Sequence, residues 1–165
     1  RDLPAALDAG ELFLAFQPEI SLKDGHRSGV ECLLRWRHPR FGLLTAGDFV
    51  TNVETRGHAA RLLAWVVGAA AEQARQWIGE GVAFGQLSIN VTTPDSLTVS
   101  LAEQLVERMH ASAVDPSAFK FELGARLAAR PALCAALAVL AHPFAVVAPV
   151  LAGVVEDTQR EVRQA

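Results

Sequence analysis

The chain has 165 residues, 51% of them hydrophobic, with 15 basic and 18 acidic side chains for a net charge of −3 and a pI near 5.9. That length supports one domain with a substantial core and argues against two, and the apolar content excludes disorder over most of it. The acidic balance excludes the basic footprint that binding to duplex nucleic acid requires.

The period of the apolar pattern switches repeatedly along the chain, which predicts alternating helices and strands. Residues 3–9 read as a short helix ended by Gly10, and "FLAFQPEI" (13–20) as a strand. Lys23-Asp24-Gly25 supplies hairpin-turn chemistry leading into a second strand at 28–36. A short helix near 46–55 precedes a long one at 58–79, which carries Leu62, Val66, Ala70, Trp77 and Ile78 at helical spacing and stops at Gly79 and Gly81. "FGQLSINV" (84–91) alternates as a strand. Leu97, Leu101, Leu105 and Met109 mark a helix that Asp115-Pro116 terminates, and "FKFEL" (119–123) is the next strand. A helix at 125–140, a buried strand at 144–151 and a polar tail helix at 156–165 complete the reading. Strands separated by helices predict an α/β fold with mainly parallel pairing.

Residues 131–155 contain no Asp, Glu, Lys or Arg, a stretch longer than a membrane span needs. Pro143 and Pro149 interrupt it and His142 sits inside it, so a buried helix followed by a buried strand is the expectation, with no membrane crossing by this segment. Cys32 and Cys134 lie far apart and form no C-x-x-C, and the N-terminus has no signal-peptide pattern, which together predict a reducing, cytoplasmic setting. The chain opens on Arg1 and its single methionine is Met109, so it reads as a piece of a longer protein. The five histidines show no metal-ligand spacing, and no phosphate-binding glycine loop or G-x-S-x-G is present. Trp65 and Trp77 are expected in the core.

Alternation along the strands sorts their polar residues. Val30, Cys32, Leu34 and Trp36 share one face of the second strand, and Glu31, Leu33 and Arg35 the other. Ser88 and Asn90 oppose Leu87, Ile89 and Val91, and Lys120 and Glu122 oppose Phe119, Phe121 and Leu123. In a single sheet, Glu31, Asn90 and Glu122 converge on one patch of hard oxygen donors suited to Mg²⁺, Mn²⁺ or Ca²⁺. The solvated face of any amphipathic sheet shows the same alternation, and Arg35 has a ready ion-pair partner in Glu31.

Gln17-Pro18, Glu31-Cys32-Leu33-Leu34-Arg35-Trp36, Gly42, Phe49, Glu54 and Asn90 together carry a resemblance. The stretch "FQPEISLKDGHRSGVECLLRWRHPRFG" resembles the Y-Q-P…G-x-E-A-L-L-R-W-x-H-P-x-x-G signature of the EAL domain, the family of bacterial cyclic di-GMP phosphodiesterases and their inactive relatives. The resemblance runs from residue 3 to about 125 and is divergent over 126–165. It implies an incomplete TIM-barrel-like α/β fold of about five strands, forming a single partial domain, with a site at the C-terminal ends of the strands. It further implies Glu31, Asn90 and Glu122 as vestigial metal ligands, and Gln17 and Arg35 as contacts to cyclic di-GMP.

The departures from the family pattern bear on activity. Glu-Ala-Leu reads Glu-Cys-Leu here, a mild change on the packing face. The family's E-x-T-E reads Glu122-Leu123-Gly124-Ala125, and its paired aspartates fall near Ala148 and Pro149. No acid occurs between Glu122 and Glu156, and the family's later strands, with a catalytic lysine, are not in this sequence. Hydrolysis in this family uses two cations, each needing several oxygen ligands. The expectation is a domain with no intact catalytic set and at most one weakly held Mg²⁺ or Mn²⁺, which acts through a protein partner, a homodimer or residual cyclic di-GMP binding. The alternative is an active phosphodiesterase, converting cyclic di-GMP to its linear form, completed by regions or chains outside this one.

Overall fold

The computed structural model describes residues 3–55, 57–91, 98–123 and 145–147. The expected helices at 125–140 and 156–165, the end of the 144–151 strand, and Ala148 and Pro149 lie outside them.

Helix α1 (Leu3–Asp8) leads into strand β1 (Leu12–Ile20), with Gly10 at φ +65° turning the chain between them. A loop at 21–26 returns it into β2 (Arg27–His38). In that loop Gly25 takes φ +72°, its N–H donates to the Ser21 carbonyl, and Asp24 accepts from the His26 N–H. β3 (Gly42–Thr45), which the sequence reading missed, folds back on the end of β2. Its signal was the hairpin chemistry of Pro39-Arg40-Phe41-Gly42, whose glycine sits at φ +75°. His38 Nδ1 accepts the N–H groups of Arg40 and Phe41, and so holds this turn.

Helices α2 (Ala46–Thr55) and α3 (Ala59–Gly79) follow, then β4 (Gln86–Val91), α4 (Val99–Ala111), a 3₁₀ turn (Pro116–Ala118), β5 (Phe119–Leu123) and β6 (Ala145–Val147). At the start of α2 the Asp48 carboxylate reaches back to accept both the N–H and the hydroxyl of Thr45, each at 2.7 Å.

The strands form one sheet in the order β1-β2-β4-β5-β6, with β3 on β2. β1 pairs antiparallel along one edge of β2, while β4 takes Gly29–Cys32 and β3 takes Arg35–His38 on the other. β2, β4, β5 and β6 run parallel, as the alternation of strands and helices predicted.

One face of the sheet is packed. Val30, Cys32, Leu34 and Trp36 are all buried, Leu87, Ile89, Phe119 and Phe121 completely so, against Leu62, Val66, Val67 and Ala70 of α3 and Leu105 and Met109 of α4. Ala70 and Ala74, both at 0% exposure, let α3 pack closely. Trp65 and Trp77 pack on this core as expected, with Trp77 edge-on to Phe16 at 4.9 Å. Ile78 does not: it is 54% exposed, although it stands four residues after the buried Ala74 and seven after the buried Ala71, because α3 ends one residue later at Gly79. Among the described residues no helix is long and apolar enough to cross a membrane.

Candidate functional site

The opposite face of the sheet carries the polar residues, in rows set by the strand register. Gln17 pairs with Glu31, Glu31 with Ser88, and Ser88 with Lys120. Asn90 and Glu122 pair one step further toward the C-terminal strand ends. Glu31, Asn90, Glu122 and Gln17 thus stand on adjacent strands of one face, Gln17 and Asn90 exposed and the two carboxylates half-buried. Arg35 stands on the same face, four residues beyond Glu31 and therefore about 13 Å up the strand. Its Nη1 donates to the Leu34 carbonyl, and among the described residues no ion pair joins it to Glu31.

The contacts within this row define its chemistry. Asn90 Nδ2 donates to Glu31 Oε1 at 2.7 Å, so the amide presents its N–H to the carboxylate. Lys120 Nζ lies 2.9 Å from Glu122 Oε1 and 3.3 Å from Glu19 Oε1. Glu19 Oε2 accepts the Ser88 hydroxyl at 2.7 Å, so Ser88 is fully buried on a face that otherwise meets solvent. Burial disfavours the Lys120 ammonium, yet the Glu122 and Glu19 carboxylates outweigh that cost and raise its pKa above the ordinary lysine value.

Gly29 makes room for this arrangement. A Cβ there would come within 2.6 Å of the Gln86 carbonyl and 2.8 Å of Glu19 Oε2. The sequence reading grouped Lys120 with Glu122 but assigned the lysine no part in the site, and it missed Glu19. The signal was present: Lys120 and Glu122 are two apart on one strand, and Glu19 shares the parity of Gln17.

A cleft is lined by Cys32, Leu34, Val50, Leu62 and Val66, together with Arg35 and Asn90 of the polar face. Its walls are largely apolar, and through Asn90 it adjoins the Glu31 carboxylate.

The family model described as "EAL domain" matches residues 1–147. The chain belongs to the EAL domain family. It is 32% identical over 131 residues, 79% of its own length, to the bifunctional diguanylate cyclase/cyclic di-GMP phosphodiesterase MucR of Pseudomonas aeruginosa. It is 36% identical over 109 residues to a second cyclic di-GMP phosphodiesterase of that organism. The chain spans only 19% and 18% of those two relatives.

Among solved structures, the PaMucR phosphodiesterase in complex with c-di-GMP superposes with a TM-score of 0.79 at 29% identity, covering 88% of this chain and 60% of that one. The FimX EAL domain from Pseudomonas aeruginosa bound to c-di-GMP superposes with a TM-score of 0.73 at 22% identity, which shows the shared fold. The TIM-barrel-like architecture expected from the resemblance is therefore that of its structural neighbours.

The EAL domain family implies divalent cations, and the donors of this chain can be compared with what those ions require. Mg²⁺ demands near-octahedral oxygen ligation at about 2.1 Å, and a pair of such ions needs carboxylates to offset their repulsion. Here the Glu122 carboxylate is paired with an ammonium and the Glu31 carboxylate with an amide N–H. Among the described residues no group of three or more His, Cys, Asp or Glu side chains could hold a metal ion. Among the described residues, the donor set as arranged does not fit a two-cation centre.

Proposed function

We propose that this EAL domain is a catalytically silent member of a cyclic di-GMP signalling protein. It acts through contacts with a protein partner or a second copy of itself, or through residual binding of the cyclic dinucleotide. One observation carries this reading: after Glu122 the sequence offers no further carboxylate before Glu156, while Glu122 itself is bound to Lys120. A phosphodiester yields to hydrolysis at useful rates when metal ions generate the nucleophile and stabilise the leaving oxygen. Glu31, Asn90 and Glu122 are too few to supply that centre, and on this reading they hold at most one Mg²⁺ or Mn²⁺ weakly.

The relatives PaMucR and FimX are both described in complex with c-di-GMP, which supports the dinucleotide as the ligand class here. Gln17 and Arg35 are the side chains proposed to meet it, Arg35 because a planar guanidinium grips a phosphate with two parallel hydrogen bonds.

The test is incubation of the purified chain with cyclic di-GMP and Mg²⁺ or Mn²⁺, followed by chromatography for the linear dinucleotide. We expect none, and its appearance overturns the silent reading. Calorimetric titration then separates nucleotide binding from a role through protein contacts, with Arg35→Ala as the control that abolishes any heat.

A second reading is favoured by the 32% identity to a phosphodiesterase and by the 60% share of the PaMucR chain that this one spans. In that reading the missing acids come from regions or chains outside these residues, and the same assay on the full-length protein shows hydrolysis.

A further inference from the structure

The polar face of the sheet gathers three carboxylates, Glu19, Glu31 and Glu122, within neighbouring strands. Like charges so placed resist ionising together unless a cation lies among them. The cation the structure supplies is Lys120: its Nζ lies 2.9 Å from Glu122 and 3.3 Å and 3.4 Å from the two oxygens of Glu19. Ser88 fixes the Glu19 carboxylate from below, and Gly29 leaves the space that carboxylate occupies. The lysine side chain is 19% exposed, so the pair is set into the face and only partly screened by water.

We propose that the ammonium of Lys120 is a built-in counter-cation that takes the place of a divalent metal ion at Glu122 and excludes such an ion from this face. The proposal deepens the silent reading and rests on it: that reading says the donors are too few, and this one says that a lysine has engaged one of them. A metal ion bound to Glu122 would sit at about 2 Å from the oxygen that Lys120 already holds, and so within a few Å of a like charge. The lysine is tethered two residues from Glu122 on the same strand, so it meets that carboxylate without the loss of translational freedom a free ion incurs.

The test compares Mn²⁺ binding, read by calorimetry and by the electron paramagnetic resonance of free Mn²⁺, in the wild-type chain, Lys120→Gln and Lys120→Arg. We expect Lys120→Gln to bind Mn²⁺ about tenfold more tightly or better than the other two, from the loss of one adjacent positive charge. Circular dichroism checks that each variant is folded. Equal affinities in all three, or no binding in any, overturn the inference. Neither result depends on hydrolysis, so this failure is distinguishable from failure of the silent reading.

Should Lys120→Gln not fold, the wild-type chain still decides. Lys23 and Lys120 are its only lysines, and reductive ¹³C-methylation keeps both charged while giving each its own NMR signal. Millimolar Mn²⁺ is expected to leave the Lys120 signal as sharp as that of Lys23. Selective broadening of Lys120 by micromolar Mn²⁺ overturns the proposal.

Discussion

Cys32 shows how one side chain joins the two faces of the sheet. It stands where the family signature has alanine, 4% exposed among Val30, Leu34 and the helices behind them. Burial first, then the Glu31 and Glu19 carboxylates, pushes its thiol from 9.0 up to about 12. The folded chain therefore prefers the protonated thiol. The associated stability is fully present below about pH 9 and is lost as the pH rises toward 12. We expect iodoacetamide at pH 8 to leave Cys32 unmodified in the native chain and to label it in urea, as read by peptide mass spectrometry. Labelling at the denatured rate would contradict the burial. Cys32→Ala should flatten the fall in urea midpoint between pH 9 and 12.

Among the elements, α4 depends on a local signal. Thr98 has extended backbone angles, φ −91° and ψ 162°, and its hydroxyl accepts the Leu101 N–H at 3.2 Å. It satisfies one of the four N–H groups a helix start leaves unpaired. Thr98→Ala is expected to lower stability by about 1 kcal/mol in urea denaturation, with Thr98→Ser recovering most of it. The start of β4 has no comparable local signal. The start of β4 was read at residue 84, yet the strand begins at Gln86, because Gly85 turns at φ +75° with its Cα hydrogens against the Ser28 carbonyl. That contact is long-range, so no local pattern announced it.

For the whole molecule, the decisive property is that one sheet separates two chemistries. The face behind it is apolar and closed by helices, and Phe121, at 0% exposure, sits at its centre. Phe121→Ala should cost about 3–5 kcal/mol, a large part of the roughly 5–15 kcal/mol that holds a domain folded. A fall in melting temperature of about 6–20 °C would follow for a chain of this size. A shift under 2 °C would mean that the sheet is not packed as described. The other face keeps its polar groups because they satisfy one another: the buried Ser88 hydroxyl donates to Glu19, and Glu19 is held by Lys120.

By itself the sequence determined the α/β alternation, the parallel pairing among β2, β4, β5 and β6, the faces of residues such as Cys32, Ser88 and Phe121, and the family, because period-2 and helical spacing are local and the Gln17 to Gly42 signature is contiguous. It also located Glu31, Asn90 and Glu122 on one face. Only the tertiary structure decided what those residues touch. A carboxylate on a strand can meet water, a metal ion or an ammonium, and the choice is made by register with strands distant in sequence, here Glu19 and Lys120, 101 positions apart. The chemistry of the row is a property of neighbours across the sheet, and alternation along one strand carries no information about them.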